Sequence, residues 1–343
     1  MIQLTDPLQD PQWDTRLPNG PGRSFFHGAA WARVLRATYG FSPKYFLTRD
    51  EHAIRELLPT MEVDSWLTGR RGVSLPFTDA CEAVCPNAET FHRLFLHVLD
   101  YARTRQWRYL ELRGGRKWAS EAPPSTSFFG HTLRLNQIES DLFGQLDGAV
   151  RRAIRKAEGA GLSIEFADSM SAVHEFYRLL CKTRKRHGLP PQPFRFFANI
   201  QREILGPKQG VVVLARIATL PVAGAIFFHG NATAVYKFGA SDAAYQHLRP
   251  NNLVMWEAIK HHARLGFLTM DFGRTSLFNA GLRQFKLSWG SQEHVIDYLK
   301  YCLKEDRFVT SSDQAAGWHN RVFQRLPTFL SRLLGVVLYR HMA

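Results

Sequence analysis

The clearest periodicity in the chain lies between Tyr236 and Gly290. Leu253, Trp256, Ile259 and Ala263 recur at helical spacing, so a helix beginning near Pro250 has one face built for burial. Pro250 suits the first turn, where its missing N–H costs nothing. Alternating apolar positions predict a strand over 235–239 before this helix and a second strand ending at Asp271 after it. A loop bearing Gly, Arg, Asn and Lys comes next. A strand that feeds a helix N-terminus makes a place where an anionic group can bind.

The same patterning organises the rest. Residues 1–24, rich in Pro, Asp, Gly and Asn, read as a loose leader. Helices are expected over 28–38, 88–105, 142–159 and 170–186. Strands are expected over 44–49, 54–63, 107–112 and 128–135, with a loop at 74–79 and another over 114–127. Three close strands, 211–217, 222–229 and 232–239, are joined by turns at 219–221 and 230–231, and a last strand covers 294–301. A faint internal echo links Ala102-Arg103 and the strand ending Glu111-Leu112-Arg113-Gly114 to Ala263-Arg264 and the strand ending Asp271-Phe272-Gly273-Arg274. Two tandem α+β units would explain it. The expected domains are 25–140 and 141–310, followed by a basic C-terminal stretch over 311–343.

In that last stretch Phe329, Leu330, Leu333, Leu334, Val337 and Leu338 form an apolar face edged by Arg321, Arg325, Arg332 and Arg340. Such a helix either lies on an anionic membrane or docks on the core.

Composition changes this picture in one respect. The 343 residues hold 44 Lys and Arg against 30 Asp and Glu, a formal net charge of +14, which favours nucleic acid, anionic membrane or phosphorylated partners. Cys81, Cys85, Cys181 and Cys302 are too few and too irregular for a zinc site or disulfide framework, and no metal is expected. The acidic, Pro-bearing start is no signal peptide, and no run approaches about 18 apolar residues. A cytoplasmic protein, with or without peripheral contact to the inner membrane, is the expectation.

Arg151, Arg152, Arg155 and Lys156 stand in two i,i+4 pairs on one predicted helix. Like charges so close repel unless something negative faces them. A phosphate-bearing ligand and a solvated face both fit. Lys182, Arg184, Lys185 and Arg186 read as a solvated cluster. Asp271-Phe272-Gly273 is not a kinase signature, because no Gly-rich phosphate loop or His-Arg-Asp loop accompanies it, and no G-x-S-x-G elbow exists.

The segments RRAIRKAEGAGLSIEF (151–166), KFGASDAAYQHLRPNNLVMWEAIKHHARLGFLTMDFGRTS (237–276) and GLRQFKLSWG (281–290) resemble the GNAT acyltransferase superfamily, within it the Fem branch. That branch has tandem GNAT-like domains and includes peptidoglycan-bridge aminoacyltransferases. SLPFTD (74–79) and the terminal LGVVLYRH look like Fem-like proteins found near exopolysaccharide genes. The resemblance implies an α+β fold of tandem GNAT-like domains, each a mixed, mostly antiparallel sheet flanked by helices. It implies acyl or aminoacyl transfer to an amine or hydroxyl of a phosphate-bearing envelope precursor: peptidoglycan, exopolysaccharide or a lipid-linked intermediate. No tightly bound cofactor is implied. The donor would be aminoacyl-tRNA, as in Fem proteins, or acyl-CoA or acyl carrier protein. A non-catalytic module that binds membrane or nucleic acid is the other class.

One departure bears on the donor. At 247–252 the chain reads HLRPNN where acetyl-CoA-dependent relatives carry a glycine-rich pyrophosphate loop, and Pro250 removes a backbone donor. Within the resemblance, Asp271 would orient or deprotonate the acceptor and Lys286 would bind a phosphate or stabilise the oxyanion. Tyr236, Lys237, Ser241, Asp242, Arg249, Asn251, Asn252, Arg274, Ser276, Asn279 and Trp289 would line the same mouth.

Overall fold

The computed structural model describes residues 1–18, 22–51, 53–135, 138–310 and 327–342. Strand β1 (Gln3–Thr5) and helix α1 (Trp13–Arg16) open the chain, followed by α2 (Ala29–Tyr39). Short strands follow: β2 (Ser42–Pro43), β3 (Tyr45–Arg49), β4 (Ile54–Leu58), β5 (Met61–Val63) and β6 (Arg71–Val73). Then come α3 (Ala88–Thr104), β7 (Tyr109–Arg113), β8 (Thr126–Arg134), α4 (Glu139–Gly144), α5 (Gly148–Gly159) and β9 (Ser163–Ala167). Helices α6 (Met170–Arg186) and α7 (Phe194–Ile200) precede the meander β10 (Gly210–Ile217), β11 (Leu220–Gly230) and β12 (Thr233–Ser241). The chain ends with α8 (Pro250–Arg264), β13 (Thr269–Ser276), α9 (Ala280–Leu287), β14 (Gln292–Cys302), β15 (Arg307–Phe308) and α10 (Thr328–Leu338).

These elements form two compact units. The first holds the described residues of 1–128, 295–310 and 338–342, and the second those of 129–294 and 327–337. The expected division into consecutive stretches, 25–140 and 141–310, is therefore corrected, since the first unit recovers chain from 295 on.

In the first unit β1, β3 and β4 make a small antiparallel sheet. A second sheet runs β2, β5, β6, β7 and the end of β14, antiparallel except for the parallel pair β6–β7. Helix α3 buries Phe91, Leu94, Phe95, Val98, Leu99 and Ala102, one stripe at helical period, against Trp107, Leu110, Leu112 and Leu299. Asn87 caps it by accepting the amide of Thr90. The leader is not loose: Trp13 is buried, its indole N–H donates to the His27 carbonyl, and β1 pairs with β3.

In the second unit β9, β10, β11 and β12 pair antiparallel, and β13 joins β12 in parallel. Both faces are covered, so β10 reads as an unbroken apolar run. Val211, Val213 and Ala215 pack into the cluster formed with α5 and α8. On the other face Phe176, Phe196, Phe197 and Phe238 meet edge to face or tilted.

Several sequence expectations change here. The helix expected over 142–159 breaks at 145–147, where the Asp147 amide donates to the Ser288 carbonyl instead of continuing a helix. Strand β13 runs past Asp271 to Ser276. Residues 280–287, part of the stretch read as a loop after Asp271, form α9, capped by Asn279 accepting the Leu282 amide at 3.0 Å. Strand β9 has too weak an alternation to have been seen. Of the C-terminal stretch, Arg321 and Arg325 lie outside the described residues.

Candidate active site

The site begins where two parallel strands part. β12 and β13 pair only at Thr233–Thr269, Ala234–Met270 and Val235–Asp271, although β12 continues to Ser241 and β13 to Ser276. On the other side of β12, the β11 register steps from Phe227–Tyr236 to Ile226–Phe238, which leaves Lys237 as an extra residue. A bulge bends its strand and increases the local twist, so β12 swings away from β13. Beside this end of β12 lies a cavity of about 270 Å³ lined by Gly224 and Ala225 of β11, Tyr236, Gly239, Ala240 and Ser241 of β12, Asn251, Val254 and Met255 of α8, and Leu282 and Phe285 of α9. Thr183, Arg186 and His187 at the end of α6 complete its wall.

Tyr236 is a buried polar group of this cavity. Its hydroxyl has no hydrogen-bond partner among the described residues, and burial alone pushes its pKa up to about 12. It lies over Gly239, where a Cβ would stand 1.9 Å from the hydroxyl oxygen, so only glycine leaves it room. His187 titrates below its ordinary value because of partial burial and the nearby Arg186 and Arg184 charges. A tyrosine kept protonated and an imidazole kept neutral can serve as proton donor and acceptor.

A second cleft of about 590 Å³ opens between α5, the start of α8 and α9. Arg152 and Lys156 of α5, Arg249, Asn252, Gln284 and Ser288 line it, and Phe285 borders both spaces. Arg151, Arg152, Lys156 and Arg249 make no ion pair among the described residues, and Arg155 lies over the Phe143 ring at 5.7 Å. Arg249 holds a left-handed conformation (φ 61°), and the amides of Asn252 and Leu253 donate to its carbonyl at 3.0 and 3.4 Å. With Pro250 lacking an N–H, the helix start has few backbone donors left for an anion. Side-chain cations take that place. Of the basic group on α5, Arg152 and Lys156 line the cleft; Arg151 and Arg155 do not.

The remaining expected residues divide. Asn251 lines the cavity and donates from Nδ2 to the buried Ser241 hydroxyl at 3.2 Å, tying α8 to the end of β12. Asp242 caps the following turn and binds Lys182 at 2.5 Å, which holds its carboxyl below the usual range. Lys237, Arg274, Ser276 and Asn279 line neither space; the carbonyl of Arg274 serves Lys286, and the Ser276 and Asn279 side chains cap local turns.

Three assignments need correction. Asp271 accepts the Gly273 amide at 2.7 Å, stabilising the glycine's left-handed turn (φ 69°), and lines neither space. Lys286 is 2% exposed, its ammonium donating to the carbonyls of Gly273 (2.8 Å) and Arg274 (3.0 Å), so it clamps α9 onto β13. Trp289 is fully buried beside Phe285 and belongs to the core. His187, Thr183, Leu282 and Phe285 were not anticipated: the first two close a cluster read as solvated, and the others sit on an unrecognised helix.

The corresponding place in the first unit is occupied by its own chain. There β6 and β7 pair in parallel only at Gly72–Leu110 and Val73–Glu111, so Glu111 holds the position that Asp271 holds in the second unit. Beyond it, Arg113 donates from its backbone to Ser74 Oγ, and from its guanidinium to the Thr78 carbonyl and Glu111. The Tyr298 hydroxyl donates to the carbonyls of Thr78 and Asp79. The SLPFTD segment plugs this unit's strand gap.

Residues 147–287 match the family model for a GNAT acetyltransferase domain. The second unit thus carries a GNAT acetyltransferase domain, and the class is acyltransferase. No curated protein matches the chain in sequence. Among solved structures, FemX is similar at 12% identity over 84% of this chain and 94% of its own, with a TM-score of 0.69. A tandem GNAT protein of the clavulanic acid biosynthesis pathway aligns at 12% identity over 88% and 98%, with a TM-score of 0.57. The C-terminal domain of a putative lysylphosphatidylglycerol synthetase from Agrobacterium fabrum aligns at 13% over 78% and 86%, with a TM-score of 0.53. The chain has the tandem GNAT fold of Fem-like proteins.

Proposed function

We propose that this acyltransferase moves an activated aminoacyl or acyl group onto an amine of a phosphate-bearing cell-envelope precursor. The observation that carries the reading is the cavity at the end of β12 holding a Tyr236 hydroxyl unpartnered among the described residues, set beside a cleft of unpaired cations. The acyl carbonyl would lie in that cavity. The incoming amine gives its proton to the neutral His187 imidazole, and the collapsing tetrahedral intermediate takes one from Tyr236 as the leaving group departs. Arg152, Lys156 and Arg249 hold phosphate, as side-chain cations do where backbone donors are few.

Aminoacyl-tRNA is the favoured donor, because the start of α8 lacks the open amides that cradle a CoA pyrophosphate. A second reading, acyl-CoA or acyl carrier protein with an amino sugar or amino lipid as acceptor, is supported by the acetyltransferase domain itself. The fold shared with FemX and with a putative lysylphosphatidylglycerol synthetase supports an envelope or lipid acceptor met at a membrane surface. The test offers purified protein charged tRNAs and, separately, an acyl-CoA panel, with envelope-precursor extract as acceptor. Acceptor-dependent tRNA deacylation is expected. Acceptor-dependent thiol release instead moves the donor to CoA, and no transfer from either, or from loaded carrier protein, sinks the enzymatic reading.

A further inference from the structure

Helix α10 is docked inside out. Its buried positions are Ser331 and Gly335, small residues one turn apart. Gly335 lies so close to the Pro190-Pro191 backbone that a Cβ there would stand 2.0 Å from the Pro191 carbonyl oxygen. Arg332 packs over the Tyr177 ring at 5.5 Å. The large apolar residues face away: Phe329 is 62% exposed, Leu333 60% and Val337 56%, with Leu330, Leu334 and Val336 beside them. At 3.6 residues per turn these six occupy an arc of roughly 160°. A helix that stabilised the fold by burial would turn that arc inward.

We infer that α10 is a membrane-docking element whose outward apolar arc enters the interface of an anionic phospholipid bilayer. Charge selects the occupant. No Asp or Glu occurs between Thr328 and Met342, while Arg332 borders the arc and Arg340 lies just past the helix's end. Arg184 and Lys185 follow on α6, about two turns beyond the Tyr177 that Arg332 covers. An apolar arc edged by arginine fits acyl chains below and phosphate headgroups beside. Eleven residues rise about 16 Å, too short to cross a bilayer of about 30 Å, and among the described residues no helix is long and apolar enough to do so. The helix therefore lies in the surface plane. This deepens the proposed function by naming where the protein meets a lipid-linked acceptor, but its evidence and test do not depend on catalysis.

The experiment is vesicle flotation with the full chain. Mixed phosphatidylglycerol–phosphatidylcholine vesicles should carry the protein and pure phosphatidylcholine vesicles should not. Leu333→Ser with Val337→Ser should cut the floated fraction by about tenfold while leaving the thermal midpoint near that of the parent. As an independent probe, Leu333→Trp should show a blue shift in its emission on adding mixed vesicles. Absence of flotation, flotation indifferent to the double substitution, or a lipid-free dimer that the double substitution dissociates would each overturn the proposal. Flotation without any acyl transfer would leave docking standing and reject the enzymatic reading alone.

Discussion

Tyr236 and Gly239 act as one feature, because the glycine exists to make room for the hydroxyl. Tyr236→Phe should lower kcat by about 10²-fold and leave the donor KM nearly unchanged, since it removes a proton donor without removing binding surface. Gly239→Ala should cost similar activity with little change in thermal midpoint, because the added methyl displaces only the far end of the tyrosine. Equal KM changes in both variants would mark Tyr236 as a binding residue. His187 makes its own prediction. Its pKa lies below 6.5, so kcat/KM should fall as pH drops through that value, and His187→Gln should flatten this acid limb. At this scale the sequence offered Tyr236 as one lining residue among many and put the chemistry on Asp271 and Lys286. Asp271 and Lys286 have suitable groups at suitable positions, yet the strand's turn claims one and two β13 carbonyls claim the other. Residue type shows what a side chain can do; its hydrogen bonds, formed across the fold, decide what remains free to do it.

Helices α8 and α9 set the walls of both spaces, and each is held by a buried polar group. Lys286→Met removes the ammonium from the Gly273 and Arg274 carbonyls and should destabilise the protein by about 1–3 kcal/mol in denaturant unfolding. A loss of activity with no loss of stability would instead return Lys286 to the catalytic list. On α8, His262 Nε2 stands 3.0 Å from His229 Nε2, and burial lowers the His262 pKa from 6.5 to about 3. The unfolded chain binds that proton more readily, so this contribution is complete above pH 6.5 and is lost as pH falls from there towards 3. His262→Leu should reduce the slope of stability against pH across that window. On α5, Arg152→Gln with Lys156→Gln should raise the donor KM about 10- to 100-fold with kcat nearly intact. Apolar periodicity gave α5, α6 and α8 and the three-strand meander, because their buried faces are long and continuous. It missed α9, an eight-residue helix burying only Lys286, and β9, whose Ile164 and Phe166 are half-covered.

The tandem plan was legible as an echo because each unit reuses one device, a helix feeding a strand that pairs in parallel for two or three residues and then parts from its neighbour. What the echo did not show is how the two places differ. In the first unit Arg113, Tyr298 and the SLPFTD segment fill the place with their own hydrogen bonds, whereas in the second the Tyr236 hydroxyl has no partner among the described residues. The charge of +14 was equally visible, but its location was not; the fold leaves Arg152, Lys156 and Arg249 around one cleft without ion pairs among the described residues. That concentration makes salt a discriminator between donors. A tRNA engaging these three cations releases condensed counterions, at roughly 0.7 to 0.9 per phosphate contacted, so log affinity against log salt should fall with a slope of about −2 or steeper. A CoA thioester has few phosphates and no condensed counterion atmosphere, so its slope should be about −1 or shallower. Titrating charged tRNA and acyl-CoA against the parent protein and the Arg152→Gln/Lys156→Gln variant measures both. If tRNA is the donor, its slope should drop by about 1.5 units in the variant. A slope that the two substitutions leave unchanged would place tRNA elsewhere on the basic surface and remove the cleft from its recognition.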